Sequence, residues 1–155
     1  MKTEIVTFEI EHADDILERN VRLGGITPPS NGDWDKWVVG WKNGGPAFTL
    51  IVDGEVVGCA GVVLMDWGRG EAWALLSGLF YDHKKESYRA IRDGLNAIIK
   101  DKKLVRVQSV VFDGDKYKAS GRFLEHLGFH DESPEGMQHY GPHGENVHMF
   151  ARIMR

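Results

Sequence analysis

The spacing of apolar residues along the chain predicts alternating strands and helices. Weak alternation over residues 4–10 predicts a first strand, and apolar residues at helical spacing predict a short helix that starts near a candidate cap, Asp14, and ends at the glycines 24–25. A turn over residues 28–32 follows. Asp33 then caps a second predicted helix, which carries Trp34, Trp37, Val38 and Trp41.

The middle of the chain predicts a hairpin, a further strand and a long helix. Residues 48–52 and 56–64 have strand character and are joined by the turn dipeptide Asp53-Gly54. After a second turn over residues 66–70, residues 71–80 form a strongly apolar strand. We expect a loop over residues 81–88 and then a helix. The apolar face of this helix comprises Ile91, Leu95, Ile98 and Ile99.

The last third of the chain predicts a strand over residues 104–112, a helix over 119–127 that Gly128 stops, a short strand from Phe129 and a last strand over 147–153. The order is β-α-α-β-β-β-α-β-α-β-β, which indicates one α/β domain over residues 1–155. We expect a central mixed sheet of about six or seven strands flanked by about four helices, with a parallel crossover around the long helix.

Composition narrows the function classes. The 155 residues carry a formal net charge of −4, with 42% apolar and 27% charged residues, as in an ordinary globular domain. An acidic balance argues against a nucleic-acid partner. Without a signal-like or membrane-spanning apolar run, we expect a cytoplasmic protein with no membrane partner. Cys59, the only cysteine, allows no disulfide and no cysteine-based zinc site, and its apolar strand favours burial over nucleophilic chemistry.

Two segments carry a family resemblance. The stretch 119–129, Ala-Ser-Gly-Arg-Phe-Leu-Glu-His-Leu-Gly-Phe, and the strand–loop–helix over 71–103 resemble the GNAT superfamily of acetyl-CoA-dependent N-acyltransferases, and the likeness covers nearly the whole chain. The ending of that stretch, followed by Tyr-Gly-Pro-His-Gly at 140–144, is most similar to short phage-encoded GNAT-like proteins, some of them internal virion proteins. A phage origin would place the chain in the host cytoplasm or in the virion.

The resemblance implies a binding site for acetyl-CoA around the segment 71–103. In this fold the parallel strands splay, and the central strand pairs with the pantetheine arm as with an added strand. The next helix presents its free N–H groups to the pyrophosphate. Residues implied to line the arm are Ser77, Gly78, Leu79 and Phe80. Those implied to surround the phosphates are His83, Lys84, Lys85, Glu86, Ser87, Tyr88 and Arg89.

The phosphate segment departs from the family pattern, in which Arg/Gln-x-x-Gly-x-Gly/Ala lets the backbone approach the phosphates. The matching positions hold His83, Glu86 and Tyr88. Neighbouring Lys84, Lys85 and Arg89 could supply compensating charge. The alternative interpretation is a lysine-rich helix start that is simply solvated.

Direct acyl transfer needs a base, an oxyanion donor and an acid. The resemblance implies that Glu71 is the base, acting through water, with a backbone N–H near Ser77 or Gly78 as the oxyanion donor. Many family members carry a tyrosine acid where this chain has Leu124. Tyr117 and Ser120 are therefore the candidate acids.

Two regions are candidates for contact with the acceptor amine. Packing in the core is the default explanation for the spacing of Trp34 on the second predicted helix, and stacking on substrate is the alternative. The C-terminal loop offers His139, Tyr140 and His143 as further contacts. The histidine spacing there does not match a standard zinc site, so we predict no metal.

The expected function is transfer of an acyl group from a coenzyme A thioester to an amine, with a homodimer allowed through an exposed terminal strand. The alternative is a catalytically inactive GNAT fold that serves as a phage structural or interaction protein, since the glycines and the helix tyrosine are missing. A third hypothesis, a nucleobase- or tRNA-modifying transferase, is disfavoured by the acidic balance.

Overall fold

The computed structural model describes residues 1–22, 33–114, 117–141 and 143–155. Seven strands and five helices lie within these ranges. Their order is β1 (Thr3–Thr7), α1 (Ile10–Arg22), α2 (Asp33–Gly44), β2 (Ala47–Val52), β3 (Glu55–Met65), β4 (Arg69–Leu76), α3 (Leu79–Asp82), α4 (Lys84–Lys102), β5 (Arg106–Phe112), α5 (Tyr117–His126), β6 (His130–Asp131) and β7 (Val147–Ile153). The strands form one sheet in the order β1-β2-β3-β4-β5-β7-β6. In the described ranges no helix is both long and apolar enough to cross a bilayer.

The chain divides into two compact units, and β4 contributes to both. The first unit comprises residues 1–64 and 73–101, and the second comprises residues 65–72 and 102–155.

In the first unit, β1, β2 and β3 pair antiparallel, and their apolar side chains pack with those of α1 and α2. Phe8, Ala13, Ile16 and Val38 are buried in this core cluster. Helix α4 buries the predicted apolar face, which comprises Ile91, Leu95, Ile98 and Ile99.

The pairing of β2 with β3 contains one irregularity. Leu50 pairs with Gly58 and Ile51 with Val56, so Val57 is an extra residue in β3. The carbonyl oxygen of Val57 accepts a hydrogen bond from the N–H of Ser77, just after β4, at 2.9 Å. The bulge thereby provides an anchor for the end of β4.

In the second unit, β4 pairs with β5 in parallel and β7 pairs antiparallel with both β5 and β6. The β5–β7 ladder is the longest, running from Arg106↔Ile153 to Phe112↔Val147. Gly128 follows α5 with φ of 95°, a left-handed conformation that ends the helix where the sequence predicts.

The predicted mixed α/β sheet, the hairpin at Asp53-Gly54 and the parallel crossover are confirmed. Several local predictions are wrong. The predicted strand over residues 71–80 ends at Leu76, and Leu79 and Phe80 lie in α3. Helix α1 begins at Ile10, so Asp14 lies inside the helix and does not cap it, and the expected loop over residues 81–88 is largely helical. The predicted glycine stop at 24–25 and the turn at 28–32 lie outside the described residues.

Candidate active site

The end of β4 is held by Ser77. This buried residue places its hydroxyl 2.9 Å from the Val57 oxygen and 3.3 Å from the Val56 oxygen, and the hydroxyl oxygen accepts a hydrogen bond from Leu79 N–H at 3.2 Å. The N–H of Ser77 also donates to Val57. Because both polar groups of Ser77 are engaged within the protein, the next residue, the exposed Gly78, is the better candidate for an oxyanion donor.

The segment after Gly78 is helical instead of an open loop. The N–H of His83 donates to the carbonyl oxygens of Leu79 and Phe80 at 3.1 and 3.2 Å, and the N–H of Ser87 donates to His83 at 2.9 Å. No glycine or proline interrupts residues 79–89, and this explains why a helix forms there. The free amide groups available to a phosphate are therefore those of the first turn of α4.

The side chains at the start of α4 differ in exposure. Lys84, Lys85 and Arg89 are exposed, whereas Phe80 and Ser87 are buried, and the partly buried remainder comprises Leu79, His83, Glu86 and Tyr88. Three cations around a helix N-terminus provide a positive environment for an anion.

Ser87 carries an unsatisfied hydroxyl in this segment. The side chain is 1% exposed, and its Oγ has no hydrogen-bond partner among the described residues. A buried hydroxyl without a partner costs about 1–3 kcal/mol. Phosphate oxygens would supply an acceptor, so the residues present here fit the phosphate groups of a coenzyme A thioester.

The parallel ladder of β4 and β5 is short. It comprises three residue pairs, from Arg69↔Arg106 to Glu71↔Gln108, although the strands continue to Leu76 and Phe112. Glu71 is exposed at the last of these pairs. Among the described residues its carboxylate has no hydrogen-bond or ion-pair partner, so it is available to a water molecule or an amine.

Tyr117 opens α5, and its hydroxyl is engaged. It donates a hydrogen bond to Asp131 Oδ2, and the phenol ring stacks on the His148 imidazole at 3.9 Å between centroids. The hydrogen bond to Asp131 raises the pKa of Tyr117 to about 12. A phenol that donates its hydrogen bond to a carboxylate, and whose pKa is raised, is a poor proton donor to a thiolate. Ser120 and Leu124 lie on the same helix and are partly buried.

His148 lies beside Tyr117 in a polar network whose other members are partly or fully exposed, while the imidazole itself is buried. The imidazole is 4% exposed, with Nδ1 at 2.8 Å from the Ser133 oxygen and 3.4 Å from Asp131 Oδ2, and Nε2 at 3.3 Å from Asp113 Oδ1. This network joins the start of α5 to β6 and β7. Sequence reasoning missed it, because the bonds from Tyr117 to Asp131 and from His148 to Ser133 and Asp113 span 14, 15 and 35 positions without a shared periodicity.

The C-terminal loop presents its predicted contact residues outward. His139, Tyr140 and His143 are all exposed. Side chains within the loop bond its backbone: the His139 N–H donates to Asn146 Oδ1 at 3.0 Å, and the His143 N–H donates to Glu145 Oε1 at 2.5 Å. Among the described residues, no group of three or more histidine, cysteine or acidic side chains converges on a metal position.

Trp34 belongs to a group of aromatic rings in the first unit. Trp34 and Trp41 meet edge to face at 6.1 Å, and Trp41 stacks on Trp73 at 4.6 Å with an angle of 11°. These rings pack against the core cluster while remaining partly exposed. Sequence reasoning missed Trp73, whose position in β4 gave no sign of a partner on α2.

Helix α5 also borders an open cavity of about 400 Å³ in the second unit. Its lining residues are Tyr117, Lys118, Gly121, Arg122, Glu125 and Phe150. A Cβ added at Gly121 would lie 3.1 Å from the ring of Phe150, so a larger residue there would fill part of the cavity floor.

Comparison with solved structures defines the class of fold. No protein-family model matches the sequence, and no curated protein matches it significantly. Solved acetyltransferases match over nearly the whole chain, and the protein therefore has the α/β fold of GNAT-family acetyltransferases.

Three of these structures illustrate the likeness. Ard1 from Thermoplasma volcanium is 16% identical and matches 100% of this chain and 99% of its own, with a TM-score of 0.74. A GNAT-family acetyltransferase from Staphylococcus aureus Mu50 is 12% identical and matches 99% of this chain and 100% of its own, also with a TM-score of 0.74. The ribosomal-protein-S18-alanine N-acetyltransferase from Escherichia coli is 15% identical and matches 98% of this chain and 94% of its own, with a TM-score of 0.71.

Proposed function

We propose that the protein is an N-acyltransferase that moves an acetyl group from acetyl-CoA to an amine by direct attack in a ternary complex. The observation that carries the proposal is the full-length likeness to acetyltransferases, at a TM-score of up to 0.74 among the structures described. It is supported by the short β4–β5 ladder and by the basic start of α4.

The co-substrate is proposed to bind along β4 and at α4. The pantetheine arm would pair with the backbone of β4 beyond Glu71, and the line of contact would continue past Ser77, Gly78, Leu79 and Phe80. The phosphates would meet the first-turn amides of α4 and the cations Lys84, Lys85 and Arg89, with the Ser87 hydroxyl as a further donor. His83, Glu86 and Tyr88 complete this proposed surface.

Each step of the transfer has a candidate group. Glu71 would accept, through water, the proton that the amine loses as its nitrogen attacks the thioester carbonyl carbon. The N–H of Gly78 would stabilise the negative charge on the carbonyl oxygen. As the carbon–sulfur bond breaks, the thiolate needs a proton. Ser120 and Tyr117 remain the candidates, and the raised pKa of Tyr117 disfavours it.

The acceptor contacts proposed from the sequence are Trp34 and the exposed loop residues His139, Tyr140 and His143. No substrate is assigned from them, because a shared fold does not fix the acceptor. A homodimer remains a further proposal.

Calorimetric titration with acetyl-CoA tests the proposal. We expect binding that weakens about threefold to tenfold in Lys84→Ala and in Lys85→Ala, because each removes a charge-assisted contact to phosphate. Lys100→Ala, an exposed lysine near the other end of α4, is the matched control and should bind as the parent does. Absence of binding at millimolar acetyl-CoA in the folded protein would refute the proposal.

Salt and Glu71→Gln give two further tests. The proposed phosphate contacts use lysine charges in place of the backbone contacts that glycines allow in the family pattern. Because salt screens charges, the affinity for acetyl-CoA should fall as the salt concentration rises. Glu71→Gln should keep acetyl-CoA affinity and lose about 100-fold in kcat, the usual size of a general-base effect. An unchanged kcat would remove Glu71 from the mechanism.

The second candidate function is a catalytically inactive GNAT fold acting as a structural or interaction protein, in a phage if the chain has that origin. It is favoured by the helical, glycine-free segment 79–89 and by Leu124 at the tyrosine position. It predicts a folded protein that binds no acetyl-CoA, is indifferent to Glu71→Gln and copurifies with virions or another protein.

A further inference from the structure

The aromatic rings of the first unit form a surface of which the proposed function uses only Trp34. We call Trp34, Trp41 and Trp73 the tryptophan array. Trp34 is perpendicular to Trp41 at 88°, and Trp41 is nearly parallel to Trp73 at 11°. Phe8 meets Trp73 from the core side at 5.1 Å and is fully buried. The array therefore packs against the buried core cluster, while its three tryptophans remain partly exposed.

A carboxylate is hydrogen-bonded to the array. Asp14 Oδ1 accepts a hydrogen bond from Trp34 Nε1 at 3.3 Å, and Asp14 itself is exposed. The pair places a negative charge at the edge of an electron-rich indole surface, and both features attract cations.

Asp14 belongs to a stripe of acidic residues on α1. The members lie at positions i, i+3, i+4 and i+7, which share one face of a helix. They are Glu11, Asp14, Asp15 and Glu18. At 1.5 Å per residue the stripe extends about 10 Å along the helix axis.

Charge is divided within this unit. The stripe on α1 is acidic, whereas the exposed Lys84, Lys85 and Arg89 make the start of α4 basic. The proposed co-substrate carries phosphates and suits α4. The array and the stripe suit a ligand of the opposite sign.

We propose that the tryptophan array and Asp14 bind the acceptor, and that the acceptor is an amine carrying at least two ammonium groups. The proposal rests on the acyltransferase function. The nitrogen that attacks the thioester must first lose its proton, so it cannot supply the charge that holds the molecule in place. A second ammonium, over the indole faces and beside Asp14, provides that attachment throughout the reaction.

Calorimetric titration with two amines of equal carbon chain tests the proposal, with and without saturating acetyl-CoA. We expect 1,4-diaminobutane to bind about tenfold more tightly than 1-aminobutane, because only the diamine retains a second ammonium for the array. Equal affinity for the two amines, or no binding of either in both conditions, would overturn the proposal.

Matched variants locate the site. Asp14→Asn and Trp34→Leu should each weaken diamine binding about threefold to tenfold. Asp35→Asn and Trp37→Leu are the matched controls on α2. They change an exposed acid and a tryptophan that is 44% exposed, both outside the array, and should leave diamine binding unchanged. A loss of equal size in the controls would contradict the assignment, and thermal melts of each variant separate loss of binding from loss of folding.

The outcomes distinguish this inference from the proposed function. Acetyl-CoA binding with no preference for the diamine leaves the acyltransferase standing and refutes the diamine acceptor. Diamine binding without acetyl-CoA binding refutes the acyltransferase, and with it the role of the array as an acceptor site.

Discussion

Gly94 decides how closely α4 packs on the sheet of the first unit. A Cβ built at this glycine would lie 2.4 Å from both Cε1 and Cζ of Phe48 on β2. Ordinary carbon contacts are about 3.5–4.0 Å, so a methyl group cannot enter without displacing the ring. Gly94→Ala therefore has two opposing effects on stability: it favours the helix and it disrupts the contact with Phe48.

The magnitudes predict a net loss of stability. Replacing glycine by alanine inside a helix gains about 1 kcal/mol, whereas inserting a methyl group into a packed contact costs about 1–3 kcal/mol. With an overlap of more than 1 Å, we expect the upper part of that range and a net loss of about 1–2 kcal/mol. Gly40 on α2 is the control, since nothing lies within 4 Å of its added Cβ.

Urea denaturation of four variants measures the effect. Gly40→Ala should be stabilised by up to about 1 kcal/mol, and Gly94→Ala destabilised. Phe48→Leu should relieve the overlap, so that the double variant with Gly94→Ala is more stable than the sum of the single changes by at least about 0.5 kcal/mol. If Gly94→Ala gained stability as Gly40→Ala does, or the two changes were simply additive, the packing argument would be refuted.

Three further outcomes follow from buried or paired polar groups. Cys59 is buried, and burial raises the pKa of its thiol to about 12, so alkylation at pH 8 should require unfolding; rapid modification of the folded protein would contradict this. The Arg106 guanidinium lowers the pKa of Glu132, so Glu132→Gln should cost at most about 1 kcal/mol at pH 7, and the cost should vanish in urea melts as the pH falls below the lowered pKa. Tyr117→Phe, which removes the hydrogen bond to Asp131, should cost about 1–2 kcal/mol. Because the folded pKa is raised to about 12, that cost should be constant below pH 10 and decline between pH 10 and 12; an unchanged melting temperature at pH 7 would contradict it.

The fold was predictable where a local pattern and the final packing agree. Ile91, Leu95, Ile98 and Ile99 recur at helical spacing, and this face is the one that α4 buries. The start of α4 was mispredicted as a loop over residues 81–88, because this polar stretch shows no apolar face. It contains no glycine or proline that would interrupt a helix, and a helix forms there.

The site was only partly predictable for a different reason. Glu71 and the α4 cations are candidates because they lie near the start of a predicted strand and of a predicted helix, so sequence order is enough to propose them. The partners of Tyr117 come from β6 and β7, and Trp73 meets Trp41 across 32 positions of the sequence. Such contacts depend on tertiary packing and leave no periodic signal.

The missing glycines separate the two candidate functions less sharply than the sequence suggests. Glycine helps a phosphate site because it lets the ligand approach the backbone, yet the first-turn amides of a helix exist whatever its side chains. What matters is whether the side chains at that turn obstruct the approach. Lys84 and Lys85 are exposed and long, so they can move aside while bringing charge, and the buried Ser87 lacks a partner that a phosphate would provide. These features support the proposed phosphate site, which would use side-chain charge in place of glycine.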